Sequence, residues 1–179
     1  AYRIFGITPI KTLQIAQSLY LAGLISYPRT SSQKLPITVE YKEILKELAK
    51  KYKVEKLIKR ETPIEGKKTD PAHPSIYPTG NHQVLSGDEE KIYDLIVKRF
   101  LSLFCEDAII DRKKISVKIG DLNFSTSGSS VSKKSWLDIT RPHNFISFAL
   151  KERASRHTLV FLEKQKAVTR GNKKSVQRV

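Results

Sequence analysis

The sequence predicts an α+β fold in more than one part: a mostly helical segment over 1–106, a short antiparallel β segment over 107–139, and a basic tail over 140–179. Three observations carry this. Apolar residues recur at helical spacing in three stretches before residue 106. After Asp107 the apolar period changes from helical to two. From Thr140 the composition shifts, with ten Lys/Arg against two acids, a net +8 of the chain's formal +15.

The first helix is predicted to open at Thr8-Pro9, with Thr8 as N-cap and Pro9 at the first helical position. Leu13, Ile15, Ala16, Leu19 and Tyr20 give it a largely apolar surface, and Gly23 is placed to end it. Leu24–Ser26 follow as a short extended run that delivers Tyr27, which Pro28 biases away from helical geometry. Val39–Tyr52 reads as an amphipathic helix with Tyr41, Ile44, Leu45 and Leu48 facing inward. Residues 60–82 hold four prolines and two glycines, and so read as a long loop of the kind that is often functional. Ser86-Gly87-Asp88-Glu89 has the form of a capping box. The helix it opens runs to about Cys105, with Ile92, Leu95, Ile96, Phe100 and Leu103 on one face.

Lys114–Ile119 and Leu122–Ser125 alternate in polarity about a Gly120-Asp121 turn, which predicts an antiparallel hairpin. Trp136–Ile139 is expected to end the strand region, with Trp136 in the core. In the tail, His157–Phe161 has the composition of a strand, and Gly171–Val179 reads as disordered.

The composition narrows the function. A chain of 179 residues is long enough for a real core. An excess of 15 positive charges points to a polyanionic partner, most simply nucleic acid, although a basic surface alone also fits. The single cysteine, Cys105, excludes a disulfide within the chain and reads as a core thiol. No apolar run approaches the length of a membrane span and no signal peptide is visible, so no membrane partner is expected and the protein is expected to be intracellular. The chain starts with Ala and has no Met, which reads as a piece of a longer protein.

One segment carries chemistry. In Gly23-Leu24-Ile25-Ser26-Tyr27-Pro28-Arg29-Thr30-Ser31-Ser32 a phenol stands two residues from a guanidinium and beside a cluster of hydroxyls. A free phenol has a pKa near ~10 and is a weak nucleophile at neutral pH. A planar cation that grips phosphate offsets the charge that develops when such a phenol attacks a phosphodiester. Taken alone, the same residues also describe a strand end with a solvated arginine.

The surrounding residues resemble type IA DNA topoisomerases. Thr12-Leu13-Gln14-Ile15-Ala16-Gln17-Ser18-Leu19-Tyr20, followed by the Tyr27 block, is similar to that family's nucleophile segment. Asp70-Pro71-Ala72-His73-Pro74-Ser75-Ile76-Tyr77-Pro78-Thr79 is similar to its second signature. Ser31 departs from the Asp of many members, and Pro28–Pro36 looks more like archaeal ones. The resemblance fades after Thr140.

The resemblance implies a tyrosine-bearing helical domain followed by the start of a β-rich arch. It implies that Tyr27 attacks DNA, single-stranded at the cleavage site, and keeps the 5′-phosphate while a 3′-hydroxyl is freed. Arg29 then holds the scissile phosphate and His73 contacts phosphate. The hydroxyls of Ser26, Thr30, Ser31 and Ser32 either donate to DNA phosphates or cap the turn, with Thr30 and Ser31 taken as the DNA contacts. The resemblance also implies Mg²⁺ held by a separate Toprim domain, and no Asp-x-Asp motif of that kind occurs in this sequence. Asp70 and His73 alone make no metal site, so none is expected in this chain, which should not relax DNA by itself. A monomer acting on DNA in the cytoplasm, associated with the nucleoid, completes the implication. The topoisomerase half of a reverse gyrase fits these motifs too, as does a DNA-binding module of the same fold without catalysis. A tyrosine recombinase or type IB enzyme fits poorly, because its tyrosine is C-terminal and Tyr27 lies near the start.

The charge yields one prediction. The chain should bind DNA weakly, with little sequence preference, and progressively less as salt rises. Cutting after Ile139 should flatten the salt slope, because about half of the excess charge lies beyond it. A binding titration across salt for both lengths checks this; identical slopes would make the tail a passive end.

Overall fold

A computed structural model describes residues 1–36, 41–70 and 72–140, and the backbone of 169–177. The chain divides into two units. One is Ala1–Glu106 together with the turn that begins at Ser135, and the other contains Asp107–Lys134 and the strand over 169–177.

The helical unit contains α1 (Tyr2–Phe5), α2 (Pro9–Leu21), α3 (Tyr41–Lys51), a 3₁₀ turn at Glu55–Leu57, α4 (Gly87–Ser102) and α5 (Leu137–Thr140). Among the described residues no helix is long and apolar enough to cross a membrane. The start of α2 forms as expected: Pro9 occupies the first turn and Lys11 N donates to Thr8 Oγ1 at 3.4 Å. Its buried residues are Ile15, Ala16 and Leu19, while Leu13 and Tyr20 remain well exposed.

Helices α2 and α3 end in the same way. Leu24 N bonds Leu19 O and Gly23 N bonds Tyr20 O, the paired bonds of a Schellman turn, with Gly23 at φ 70°. At the end of α3, Val54 N bonds Ala49 O and Lys53 N bonds Lys50 O, but the left-handed position is Lys53, at φ 57°. Leu48 and Ala49 are the buried residues of α3, with Tyr41, Ile44 and Leu45 packed at the edge of the core.

In α4 the expected capping box does not form. Ser86 holds the N-cap backbone geometry, but its side chain makes no cap bond, because Gly87 at φ 60° turns the chain out of line with the first helical N–H groups. Asp88 serves the helix start instead. Its carboxylate pairs with Lys11 of α2 and, at 2.9 Å, with Lys91, and these two ammonium groups hold it below the ordinary carboxylate range. The buried face is partly the predicted one. Ile92 and Phe100 are in the core as expected, joined there by Tyr93, Val97 and Leu101, while Ile96 and Leu103 pack against it and, with Leu95 and Phe100, line an open cavity of about 400 Å³.

The helix stops at Ser102, before Cys105, because the next residues turn to receive the 58–64 loop. Lys59 N and Arg60 N bond Phe104 O, Ile64 N bonds Leu103 O, and Ile58 bridges Cys105. The thiol of Cys105 is the expected core group, fully buried and pushed up to about 11 by burial. Residues 136–139 are not the end of a strand. Asp138 N bonds Ser135 O and Thr140 N bonds Trp136 O in a single helical turn that buries Leu137 and Ile139, with Ile139 in the same core as α4 and Trp136 packed against it.

The second unit is a three-stranded antiparallel sheet of order β2-β1-β3, from β1 (Ala108–Ile119), β2 (Leu122–Lys133) and β3 (Thr169–Gln177). The hairpin turns at Gly120-Asp121 as the alternation predicts, but both strands are longer than the alternating segments. A bulge lies between Ile109 and Ile110, where Ser132 Oγ donates to Ile109 O. The expected disorder over 171–179 is corrected for residues 171–177, which pair with the free edge of β1 from Ala108↔Gln177 to Lys113↔Asn172. Backbone pairing needs no apolar residues, so composition did not reveal it. His157–Phe161 lies outside the described residues.

Two substitutions test this account of the helical unit. Lys53→Gly relieves a left-handed L-residue and should stabilise the fold by up to about 1 kcal/mol. Leu101→Ala empties a fully buried site and should cost about 2–5 kcal/mol. Denaturant unfolding of both variants checks the pair; a destabilised Lys53→Gly would show that the lysine side chain contributes something the turn geometry does not.

Candidate active site

The nucleophile segment and the Asp70–Thr79 loop meet as two short extended runs. The Schellman turn at Gly23 sends the chain out of α2 into Leu24–Ser26. There Thr79 N bonds Leu24 O at 3.1 Å, Ile25 bridges Pro78, and Ser26 N bonds Tyr77 O at 2.9 Å. Side chains add to this pairing. Ser26 Oγ accepts from Tyr77 N at 2.9 Å and donates to Ser75 O at 3.3 Å. Thr79 Oγ1 and Asn81 Nδ2 both donate to Gly23 O, at 2.6 and 2.9 Å. Each such bond contributes about 1 kcal/mol net. Pro78, Leu24 and Ile25 are buried beneath the pairing.

Tyr27 follows directly and is half-buried. Two rings lie against its own. The Tyr20 ring meets it edge-on, with centroids 5.4 Å apart and planes at 76°. The His73 imidazole is 4.9 Å away and tilted by 40°. His73 is held through its backbone from two directions. Thr30 Oγ1 donates to His73 O at 2.5 Å, and Asp70 Oδ1 accepts from Ala72 N at 3.0 Å and His73 N at 3.3 Å.

The structure thus brings Tyr27, Thr30 and His73 together. Thr30 Oγ1, expected to donate to DNA, here gives its proton to His73 O and accepts from Ser32 N at 2.9 Å. Ser26 and Ser32 are likewise occupied within the fold, Ser32 Oγ bonding both N and O of Lys34. Arg29 and Ser31 are exposed, and among the described residues neither side chain has a hydrogen-bond or ion-pair partner. Tyr20 and Asp70 are the residues whose place in the site the sequence did not assign. For Asp70 a signal existed, since Asp two or three residues before free N–H groups forms such turns. Tyr20 lies seven residues from Tyr27, and only the turn between them makes the rings neighbours.

The other tyrosines are set differently. Burial raises the phenols of Tyr52, Tyr77 and Tyr93 above the ordinary value, with Asp94 adding to the effect at Tyr52. Among the described residues the buried Tyr93 hydroxyl has no hydrogen-bond partner, and Tyr41 packs on Phe104. Desolvation opposes the phenolate, so the three raised phenols are poor nucleophiles.

Among the described residues no three His, Cys, Asp or Glu side chains gather in a cluster that would fit a resident Mg²⁺, and Asp70 Oδ1 is taken by backbone N–H groups.

A family model described as DNA topoisomerase matches residues 1–175. The chain belongs to the type IA DNA topoisomerase family. It is 52% identical over 143 residues to DNA topoisomerase 1 of Methanothermobacter thermautotrophicus, covering 77% of this chain and 20% of that protein. It is 44% identical over 170 residues to DNA topoisomerase 1 of Pyrococcus horikoshii, covering 84% of this chain and 25% of that protein. The chain therefore spans about a fifth to a quarter of the length of these relatives. A full-length topoisomerase I from Thermotoga maritima shares the fold, with a TM-score of 0.58 at 20% identity over 99% of this chain and 30% of that one. The family match runs on to residue 175, past Thr140, where the resemblance of the motifs fades.

The clasp on His73 is open to test. Thr30→Val removes the donor to His73 O, and the His73 ring protons should move from shifts set by the Tyr27 ring toward those of a free imidazole. Thr30→Ser keeps the hydroxyl and should leave them in place. Proton NMR of the two variants checks this; matching spectra would show that the hydrogen bond does not hold the ring.

Proposed function

We propose that this chain carries the strand-cutting centre of a DNA topoisomerase, with Tyr27 as its nucleophile. The observation that carries the reading is the meeting of the two motifs, which sets the His73 ring against Tyr27 and leaves the Arg29 guanidinium unpaired among the described residues. Tyr27 Oη forms a bond to the phosphorus of a DNA phosphodiester and the bond to the 3′-oxygen breaks. The phenol loses a proton and the departing 3′-oxygen gains one, so the step is balanced without a further reactant. The 5′-phosphate stays on Tyr27 as a phosphodiester. Its bond energy lets the 3′-hydroxyl attack in turn and reseal the strand without ATP. A second strand passes through the break between these steps, which changes supercoiling.

Arg29 holds the scissile phosphate and offsets the charge that builds on it during transfer. His73 donates a hydrogen bond to phosphate, and Ser31 donates to the DNA backbone. Thr30 acts through His73. The substrate is DNA, single-stranded where it is cut, as the likeness of the two motifs to the family's implies. The Mg²⁺ of this reading belongs to the carboxylates of a Toprim domain rather than to these residues. The same reading gives a monomer acting on DNA in the cytoplasm.

Substitution at the two leading residues tests the proposal in the full reading frame that contains this chain. Tyr27→Phe should abolish the covalent DNA adduct and leave DNA affinity largely intact. Arg29→Ala should slow cleavage and resealing by roughly 10²-fold while changing affinity less. Arg29→Lys should recover only part of this, since an ammonium lacks the planar fork. Adduct gels and oligonucleotide cleavage rates are the measurements; an adduct trapped on another tyrosine would end the assignment.

A further inference from the structure

We infer that Tyr20 is a positioning residue for the nucleophile, holding the Tyr27 ring through an edge-to-face contact so that the phenol stands ready for in-line attack. The inference rests on the reading of Tyr27 as nucleophile and adds a residue to it. Tyr20 closes the helical motif Thr12–Tyr20, and neither the core nor the phosphate contacts use it. About 38% of its surface is exposed, so burial does not explain a large aromatic residue there. Its hydroxyl has no hydrogen-bond partner among the described residues. What it does have is the edge-on contact with Tyr27, at 5.4 Å and 76°, a geometry in which the positive edge of one ring meets the negative face of the other.

The contact has a fixed base. Tyr20 lies in the last turn of α2, a helix anchored by buried Ile15, Ala16 and Leu19. The turn after it is closed by the Leu24–Leu19 and Gly23–Tyr20 hydrogen bonds. His73 reaches the same ring from the other motif, where Thr30 and Asp70 hold its backbone. Tyr27 follows an extended run, and its side chain alone would be free to turn about two bonds. Rings supplied by two separate elements restrict that rotation without consuming the hydroxyl. A nucleophile misplaced by about 1 Å loses rate steeply, so a restraint on the ring is a restraint on the reaction.

The test uses Tyr20→Phe and Tyr20→Leu beside Tyr27→Phe, all in the full reading frame. Single-turnover cleavage of a saturating single-stranded oligonucleotide is read separately from the affinity for that oligonucleotide. Tyr20→Phe keeps the ring edge and should cleave at the wild-type rate. Tyr20→Leu keeps apolar bulk but no edge and should cleave roughly three- to tenfold more slowly at unchanged affinity. Equal melting temperatures for the two variants show that the difference is not one of folding. A wild-type cleavage rate in Tyr20→Leu would overturn the inference, as would a loss of affinity at an unchanged single-turnover rate, which would make Tyr20 a DNA contact. If Tyr27→Phe still forms the adduct, the nucleophile reading fails and the positioning role falls with it. If Tyr27→Phe is inert and Tyr20→Leu is normal, only the positioning role falls.

Discussion

The backbone pairing of Leu24–Ser26 with Tyr77–Thr79 is the constraint on which the candidate site depends. Without it, the nucleophile segment and the His73 loop are two polar stretches about fifty residues apart, each free to wander. With it, the end of α2 becomes a fixed point. The Gly23 carbonyl, one residue beyond the helix cap, accepts from Thr79 and Asn81, while the next peptide groups pair in sequence. These bonds join the two motifs directly after the closed turn of α2, so the stiffness of the helix extends toward Tyr27. The glycine is required by conformation rather than by space. A Cβ at Gly23 would meet Asn81 Nδ2 at an ordinary 3.6 Å, but φ of 70° strains any L-residue.

Much of the fold was legible because local chemistry and tertiary packing agree. Thr8-Pro9 starts α2, Gly23 ends it, and the alternation about Gly120-Asp121 makes a hairpin. The differences arise where a longer-range demand prevails. The capping box at Ser86 is displaced by the left-handed Gly87 and by the reach of Lys11 to Asp88. Trp136–Ile139 has the composition of a strand end, yet a core site near α4 draws it into a helical turn. The strand at Thr169–Gln177 carries hardly any apolar signal, and only the open edge of β1 explains it. Within the two motifs the sequence singled out Tyr27, Arg29 and His73, but not which hydroxyls the fold itself occupies. Thr30, Ser31 and Ser32 are neighbours of similar chemistry. Their different roles follow from backbone geometry, which places Thr30 against His73 O and leaves Ser31 outward.

Charge is distributed in keeping with this division. Lys11 and Lys91 pair with Asp88, and Lys98 pairs with Asp94, all on the helices. These are exposed pairs whose contribution to stability is small and weakened by salt. Near Tyr27 the pattern reverses. Asp70 is the acid closest in the motif, and its Oδ1 is turned onto backbone N–H groups. Arg29 is thus left without a carboxylate partner among the described residues, so its charge is available to an incoming anion. A salt bridge there would have to be broken before a phosphate could bind. On the proposed reading, the excess of 15 positive charges over the chain would act at longer range, raising the local concentration of a polyanion, while Arg29 would act at contact.

A site held chiefly by backbone hydrogen bonds tolerates wide change in side chains. The peptide groups of Leu24, Ser26, Tyr77 and Thr79 pair whatever residues carry them, provided the chain can turn at Gly23 and the buried positions stay apolar. That is how a fold survives at 20% identity, as it does between this chain and the Thermotoga structure. The same reasoning separates what is free to vary from what is not. A hydroxyl that replaces a backbone partner, as in Ser26, Thr30 and Thr79, has few substitutes, because only a short polar side chain reaches the carbonyl concerned. The strongest constraints that the fold sets on this segment therefore fall on the small residues around Tyr27.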